Sequence, residues 1–408
     1  MPVFIGSTPN TTEEDLKVAK GIVDGSINVE GSLDSLTNIF QKQYPEKSMF
    51  LFNRGRDSMY FLFQNLNLNP DDEIIIQGFT CIAVVAPILW AKCKPVFVDI
   101  SRDTFNMDIS KMEGKITEKT KVIIIQHTFG NIADMQKIRK IVERENEKRE
   151  KSNKIFLLED CAHVLDFENR EIGKYSEAFF FSFAQDKSIS STHGALLVVN
   201  NIDLLDKEIH EEYEQIPELP KEDALYNAKY ILYWDRIKKN YFKKIIVPRV
   251  TFGKGLLLLY RFLGKIKKQA SNDTTTFDGI HKMSEIQAKL LLGQLEKLKE
   301  FNENRKSISR IYGSKENTPI LRYPILVQNR AEVKEKLKNI GVISGTWYTS
   351  PIFPIAWNDL ACLGYKVGEC PEAEYCARHV MNLPTNIEVN EDKAREILEI
   401  VNKYAKIA

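Results

Sequence analysis

The sequence predicts an α/β fold. It has a large domain with a mostly parallel sheet covered by helices on both faces, a smaller α+β C-terminal domain, and a helical insertion between them. Three observations predict it. Short runs that are apolar throughout recur from Glu73 to Asn200, as expected of strands buried on both faces. Helix-patterned segments separate most of these runs, which selects parallel pairing through crossovers. Then, over residues 202–275, the rhythm breaks into a charged stretch of different character.

In order, residues 1–45 are an N-terminal segment expected to pack with the small domain, and 46–201 are the large domain. "SMYFLFQNL" has helical periodicity, and "EIIIQ" is a β-rich run bounded by Asp71 and Gly78. "IAVVAPILWAK" reads as a helix, "KPVFVDI" as a strand opened by proline, and "KVIIIQH" as a strand. "ADMQKIRKIVERENEKRE" is a charged amphipathic helix, and "KIFLLED", "EAFFFSF" and "GALLVVN" are further strands. In the 202–275 insertion, an acidic first part precedes "RIKKNYFKKIIVPRVTFGKGLLLLYRFLGKIKK", which holds no acidic residue. One reading is a subdomain whose charged faces are solvated or face each other. The other is a basic, partly apolar surface over 236–268 that touches anionic lipid or a polyanionic substrate. "KMSEIQAKLLLGQLEKLKEFNENRKSISRIYG" reads as one long helix with a buried face. It opens the 276–408 domain, which ends in the helix "NEDKAREILEIVNKYAKI".

A chain of 408 residues exceeds one hydrophobic core. Its 43% hydrophobic and 28% charged residues are those of an ordinary globular protein, and a net charge of +1 gives no global attraction to nucleic acid. The six cysteines (Cys81, Cys93, Cys161, Cys362, Cys370 and Cys376) form no Cys-x-x-Cys pair, which favours a reduced, cytoplasmic chain and no metal site. The N-terminus lacks a basic region followed by an apolar run, and "GLLLLYRFLG" is too short to span a bilayer.

In a parallel sheet, ligands bind beyond the carboxyl ends of the strands. Those ends carry His127, Asp160 and Ser182, with Lys187 just after. A lysine there forms an imine with a carbonyl cofactor if an electron sink and an anion hold lie nearby. Asp160, which with Glu159 ends the buried strand in "LLEDCAH", is placed to keep a pyridinium protonated. "NRGRDSMY" puts Gly55 before a helix, whose free backbone N–H groups suit a phosphate. Ser182 can add a hydroxyl. Taken singly, such an aspartate is more often a cap, such a glycine a helix start and such a lysine a solvated cation. Their common sheet edge is what sets them apart. His127 reads as a packing residue rather than a catalytic one.

These residues resemble the DegT/StrS-type sugar aminotransferases, pyridoxal-phosphate enzymes of fold type I with a seven-stranded sheet. The likeness runs over nearly the whole chain apart from the insertion. It rests on "GRDSMYFLFQ…TFNMD", "HTFGNIADM", "EDCAH", "SFAQDKSIS", "KMSEIQAKLLLGQLEKL" and "CPEAEYCARHVMNLPTN". The resemblance implies that Lys187 carries the cofactor and moves the substrate proton, that Asp160 pairs with the pyridine nitrogen, and that Ser182 holds phosphate with the backbone at Gly55 and Arg56. Asp57 belongs to the same helix start. His163 stands where the family has a glutamine near the ring hydroxyl. Where the family often has a stacking aromatic this chain has Cys81, leaving Phe79, or apolar contact alone, to hold the ring. The turn after the lysine reads "THGA" instead of a Gly-Glu-Gly-Gly sequence. Ile280 replaces a partner-subunit asparagine that reaches the phosphate, with His281 or Lys282 as substitutes.

The implied activity is ping-pong transfer of an amine, from glutamate, to a keto sugar on a nucleotide diphosphate, by a homodimer. Three alternatives stay open. The sugar is free or lipid-linked; or the chain is a sugar dehydratase, whose members usually replace the lysine by histidine; or it is a non-catalytic scaffold of the same fold.

Overall fold

The structure is a computed structural model and describes residues 2–7, 10–202, 205, 208–244, 251–267 and 275–408. Its strands, in chain order, are β1 (Val3–Phe4), β2 (Ser48–Phe52), β3 (Glu73–Gln77), β4 (Thr80–Cys81), β5 (Lys94–Val98), β6 (Thr120–Gln126), β7 (Phe156–Asp160), β8 (Ala178–Ser182), β9 (Ala195–Val199), β10 (Arg322–Leu326), β11 (Val342–Ile343), β12 (Ile352–Phe353) and β13 (Val380–Pro384). Seven of them form the central sheet, in the order β2-β9-β8-β7-β6-β3-β5. The pairs β3–β5, β3–β6, β6–β7 and β7–β8 are parallel, and β9 is antiparallel to both its neighbours. The six expected runs are all here. The seventh strand is "SMFLF", an edge run just ahead of the Gly55 helix.

Burial explains why these runs are apolar throughout. Ile74, Ile76, Val122, Ile124, Leu158 and Phe180 enter the core on one face of the sheet. Their neighbours Ile75, Ile123, Ile125 and Leu157 enter a second core on the other, and Phe179 and Phe181 a third. With a side-chain period of two, each residue of such a strand is covered. The register sets Gln126 opposite Asp160 and Asp160 opposite Phe180. The strand-end polar residues therefore share one edge.

The expected long helix is two, Glu285–Leu295 and Leu298–Ile311. The first packs Ile286 and Leu290 against Ala224, Ala228 and the N-terminal helix Glu13–Asp24. The second sends Ile308 into the core of the C-terminal part. The break falls where Lys297 turns its Nζ onto Thr12 and Asp15, both at 2.9 Å. Two surfaces facing different layers cannot stay on one helical stripe. In the C-terminal part β10 and β13 are antiparallel, and β1 extends β11 in parallel. The stretch 202–275 supplies the helices Ile209–Gln215, Lys221–Asn240 and Phe252–Phe262 among the described residues.

Candidate active site

A cavity of about 780 Å³ lies at the carboxyl edge of the sheet, lined by Asp160, Ser182 and Lys187 among others. Asp160 closes β7 and is buried; its Oδ1 accepts the Ala162 N–H at 2.9 Å. Burial raises its pKa, against the Ala162 hydrogen bond and the Lys187 charge, which pull it down. A cation brought against this carboxylate restores the charged form. Lys187 follows β8 in a turn closed by its own N–H to the Ala184 carbonyl at 3.2 Å. Among the described residues no ion pair involves its ammonium.

The phosphate end is built by the helix Gly55–Gln64. Its N-cap, Arg54, makes no side-chain capping bond. A Cβ on Gly55 would lie 3.7 Å from that of Ser182, so the hydroxyl-bearing strand end and the helix start adjoin. The Arg56 Nε is buried without a partner, and burial, with Arg54 next, lowers the Arg56 pKa. An orphaned guanidinium N–H, a serine and an uncapped helix start form a donor set for a dianion. Together with an acid and an amine at the same cavity, this set fits pyridoxal 5′-phosphate.

His163 also lines the cavity. Its Nδ1 accepts the Phe129 N–H at 3.1 Å, so the ring proton sits on Nε2, 3.4 Å from the Tyr348 hydroxyl. Burial, then Lys187 and Arg322, hold its pKa well below the usual range. It stays a neutral donor. Cys81 is at the wall as well, its thiol pKa pushed up by burial.

Two expected cofactor contacts lie elsewhere. Phe79 is fully buried, its ring 5.2–6.1 Å from those of Phe105, Phe129 and Tyr348. The Gln77 Nε2 fixes this turn by donating to the Phe79 carbonyl at 2.7 Å. Asp57 is fully buried beneath the cavity and accepts two bonds from the Arg54 Nε at 2.9 and 3.1 Å. It orients Arg54 instead of touching a ligand. His127 is buried too, its Nε2 3.0 Å from Glu159 and its Nδ1 accepting the Ala133 N–H. With Cys161 these two form the one metal-like cluster among the described residues, but the ring nitrogens are already engaged. His281 lines the cavity, while the Lys282 Nζ binds Glu214 at 2.6 Å and Ile280 packs on the core.

Several wall residues were missed by sequence reasoning. Arg54 reaches Asp278 at 2.7 Å. Arg322 enters from the C-terminal part, binds Asp186 Oδ2 at 2.8 Å and lies 4.2 Å over the Trp347 ring. Trp347 and Tyr348 supply aromatic faces, and Tyr226, Asn227, Tyr230 and Lys267 bring the 202–275 stretch to the wall. Asn227 Oδ1 meets His193 Nδ1, of the altered post-lysine turn, at 2.9 Å. No local pattern marks these residues.

The model of the DegT/DnrJ/EryC1/StrS aminotransferase family matches residues 11–218 and 256–402. The chain belongs to that family. A GDP-perosamine synthase of Escherichia coli O157:H7 is 23% identical over 99% of this chain and 98% of its own length. A pleiotropic regulatory protein of Geobacillus stearothermophilus is 25% identical over 86% of this chain and 83% of its own. Among solved structures, Helicobacter pylori PseC, an aminotransferase involved in the biosynthesis of pseudoaminic acid, superposes with a TM-score of 0.68 at 20% identity, covering 97% of each chain. NtdA of Bacillus subtilis, solved with bound cofactor PMP, gives 0.65 at 20% identity over 96% of this chain and 82% of its own. As a family member the chain is a sugar aminotransferase of fold type I, and the family's cofactor is pyridoxal phosphate.

Proposed function

We propose that this chain transfers an amine from glutamate to a keto sugar carried on a nucleotide diphosphate, as a homodimer in the cytoplasm. The observation that carries the reading is the meeting of the unpaired Lys187 ammonium, the buried Asp160 and the Gly55–Arg56–Ser182 anion hold in one cavity. Bound pyridoxal phosphate supplies an electron sink for charge developing at the substrate carbon. Lys187 then removes and returns the proton at that carbon. Asp160 would keep the pyridine nitrogen protonated, His163 would offer its Nε2 proton to the ring hydroxyl, and Arg56 with Ser182 would hold the phosphate. Lys267 brings a further cation to the cavity wall, suited to a substrate diphosphate. The GDP-sugar named for the Escherichia coli relative supports a nucleotide carrier.

The test loads the purified protein with pyridoxal phosphate, converts it to the amino form with glutamate, and offers nucleotide-linked 3-keto and 4-keto sugars. Return of the aldehyde form's absorbance, with one aminated sugar per site, is expected. No return with any sugar of the panel would overturn the reading of the substrate. Failure of borohydride to fix the cofactor on Lys187 would overturn the reading of the site.

A further inference from the structure

The helix Phe252–Phe262 carries an apolar surface that the catalytic cavity does not use. Phe252, Leu258, Leu259, Phe262 and the following Leu263 are 41%, 61%, 48%, 88% and 50% exposed. At 100° per residue they fall on one face. The opposite face is pinned. A Cβ on Gly253 would lie 2.5 Å from the Tyr241 Cα, and Tyr260 packs 4.8 Å from Tyr233, ring to ring. The helix therefore cannot roll its apolar stripe inward. Isolated exposed leucines need no explanation, but a contiguous stripe does.

Charge indicates what covers it. The stretch 236–268 has eleven lysines and arginines and no acidic residue. Among the described residues Lys243, Lys254, Arg261 and Lys265 make no ion pair within 4 Å. Lys254 and Arg261 flank the stripe along one side of the helix, and Lys265 follows it with its Nζ 5.6 and 5.7 Å from the Tyr233 and Tyr260 rings. An isologous contact through this stripe would bring together two copies of the same cation-edged surface. An apolar stripe edged by unpaired cations instead matches an interfacial helix on anionic lipid.

We propose that this helix docks the protein on an anionic lipid surface, burying Leu258, Leu259 and Phe262 among the acyl chains with Lys254, Arg261 and Lys265 at the headgroups. Arg261 and Lys267 also line the catalytic cavity, so docking would set the membrane beside the substrate site. The proposal does not depend on which sugar is aminated.

The test is co-sedimentation of the full chain with vesicles of phosphatidylcholine alone or with phosphatidylglycerol. Binding to the anionic vesicles alone, weakened by salt, is expected. Leu258→Asp/Phe262→Asp and, separately, Lys254→Glu/Lys265→Glu should each lower it by more than about tenfold. Both variants should keep the far-ultraviolet circular dichroism and pyridoxal phosphate uptake of the parent. Equal binding to neutral vesicles, or none to anionic ones, would overturn the proposal. So would Leu258→Asp/Phe262→Asp splitting an oligomer in sedimentation velocity while leaving lipid binding intact, which would assign the stripe to a second copy.

Discussion

At the scale of single residues, the chemistry depends on one amine and one carboxylate, Lys187 and Asp160, at the same cavity. Lys187 is half-buried and unpaired, so its amine is available to move a proton. Lys187→Ala should cut amine transfer by at least about 10²-fold, the ordinary contribution of a positioned general base, with circular dichroism unchanged. Asp160→Asn keeps the shape and the hydrogen bond from Ala162 but removes the charge that answers a pyridinium. It should lower kcat by about 10²-fold and release pyridoxal phosphate faster on dialysis, read by absorbance. An Asp160→Asn enzyme with the parent's kcat and cofactor retention would separate the carboxylate from the cofactor.

At the scale of elements, the turn after β8 is held from three directions. The Asn10 Nδ2 donates to the Ser188 carbonyl at 2.9 Å, and the Arg305 Nη2 to the same carbonyl at 2.6 Å. The Arg322 Nη2 donates to both the carbonyl and the carboxylate of Asp186. Burial alone would raise the Asp186 pKa, yet it lies below the usual range because Arg322 and Lys187 adjoin it. Removing one partner of such a buried pair strands the other charge. Arg322→Ala should therefore cost about 3–5 kcal/mol in urea unfolding. Adding Asp186→Ala to that variant should cost far less than it does alone, as a double-mutant cycle would show. A nearby strain point is Gly130, at φ +98°, where a Cβ would sit 2.9 Å from the Pro319 carbonyl oxygen. Gly130→Ala should lose about 1–2 kcal/mol or more and lower Tm.

For the whole molecule, two histidines make stability depend on pH. Burial, then Lys187 and Arg322, depresses His163. Burial lowers His193 to about 4, with the Asn227 hydrogen bond acting the other way and Arg54 and Arg56 adding to the fall. The unfolded chain binds protons at both near pH 6.5, while the folded chain does not. The His193 contribution is complete above that pH and is lost as pH falls from 6.5 toward 4, and that of His163 is lost in the same direction. Tm should drop across this window, and His193→Gln should flatten the slope of unfolding free energy by roughly 1 kcal/mol per pH unit. An unchanged slope in that variant would show that His193 takes up its proton in the folded state. No described helix is long and apolar enough to cross a membrane.

What the sequence determined by itself was local. Continuous apolar runs such as "IIIQ" and "FLLED" announce doubly covered strands because every one of their side chains must be buried. Residues that end such runs fall on one edge, which made Asp160, Ser182 and Lys187 legible as neighbours. The tertiary structure alone decided what that edge faces. Arg322 meets Asp186 across 136 residues of chain, and Trp347, Tyr348 and Asn227 arrive from separate elements, so no spacing encodes them. The same holds for Phe79 and Asp57, whose sequence places them at the site while packing turns one into the core and the other beneath Arg54. It also holds for the break at Lys297, since a leucine pattern records that a face is buried but not that two layers bury it. Periodicity reports whether a side chain leaves water; only the folded chain fixes which group it meets there.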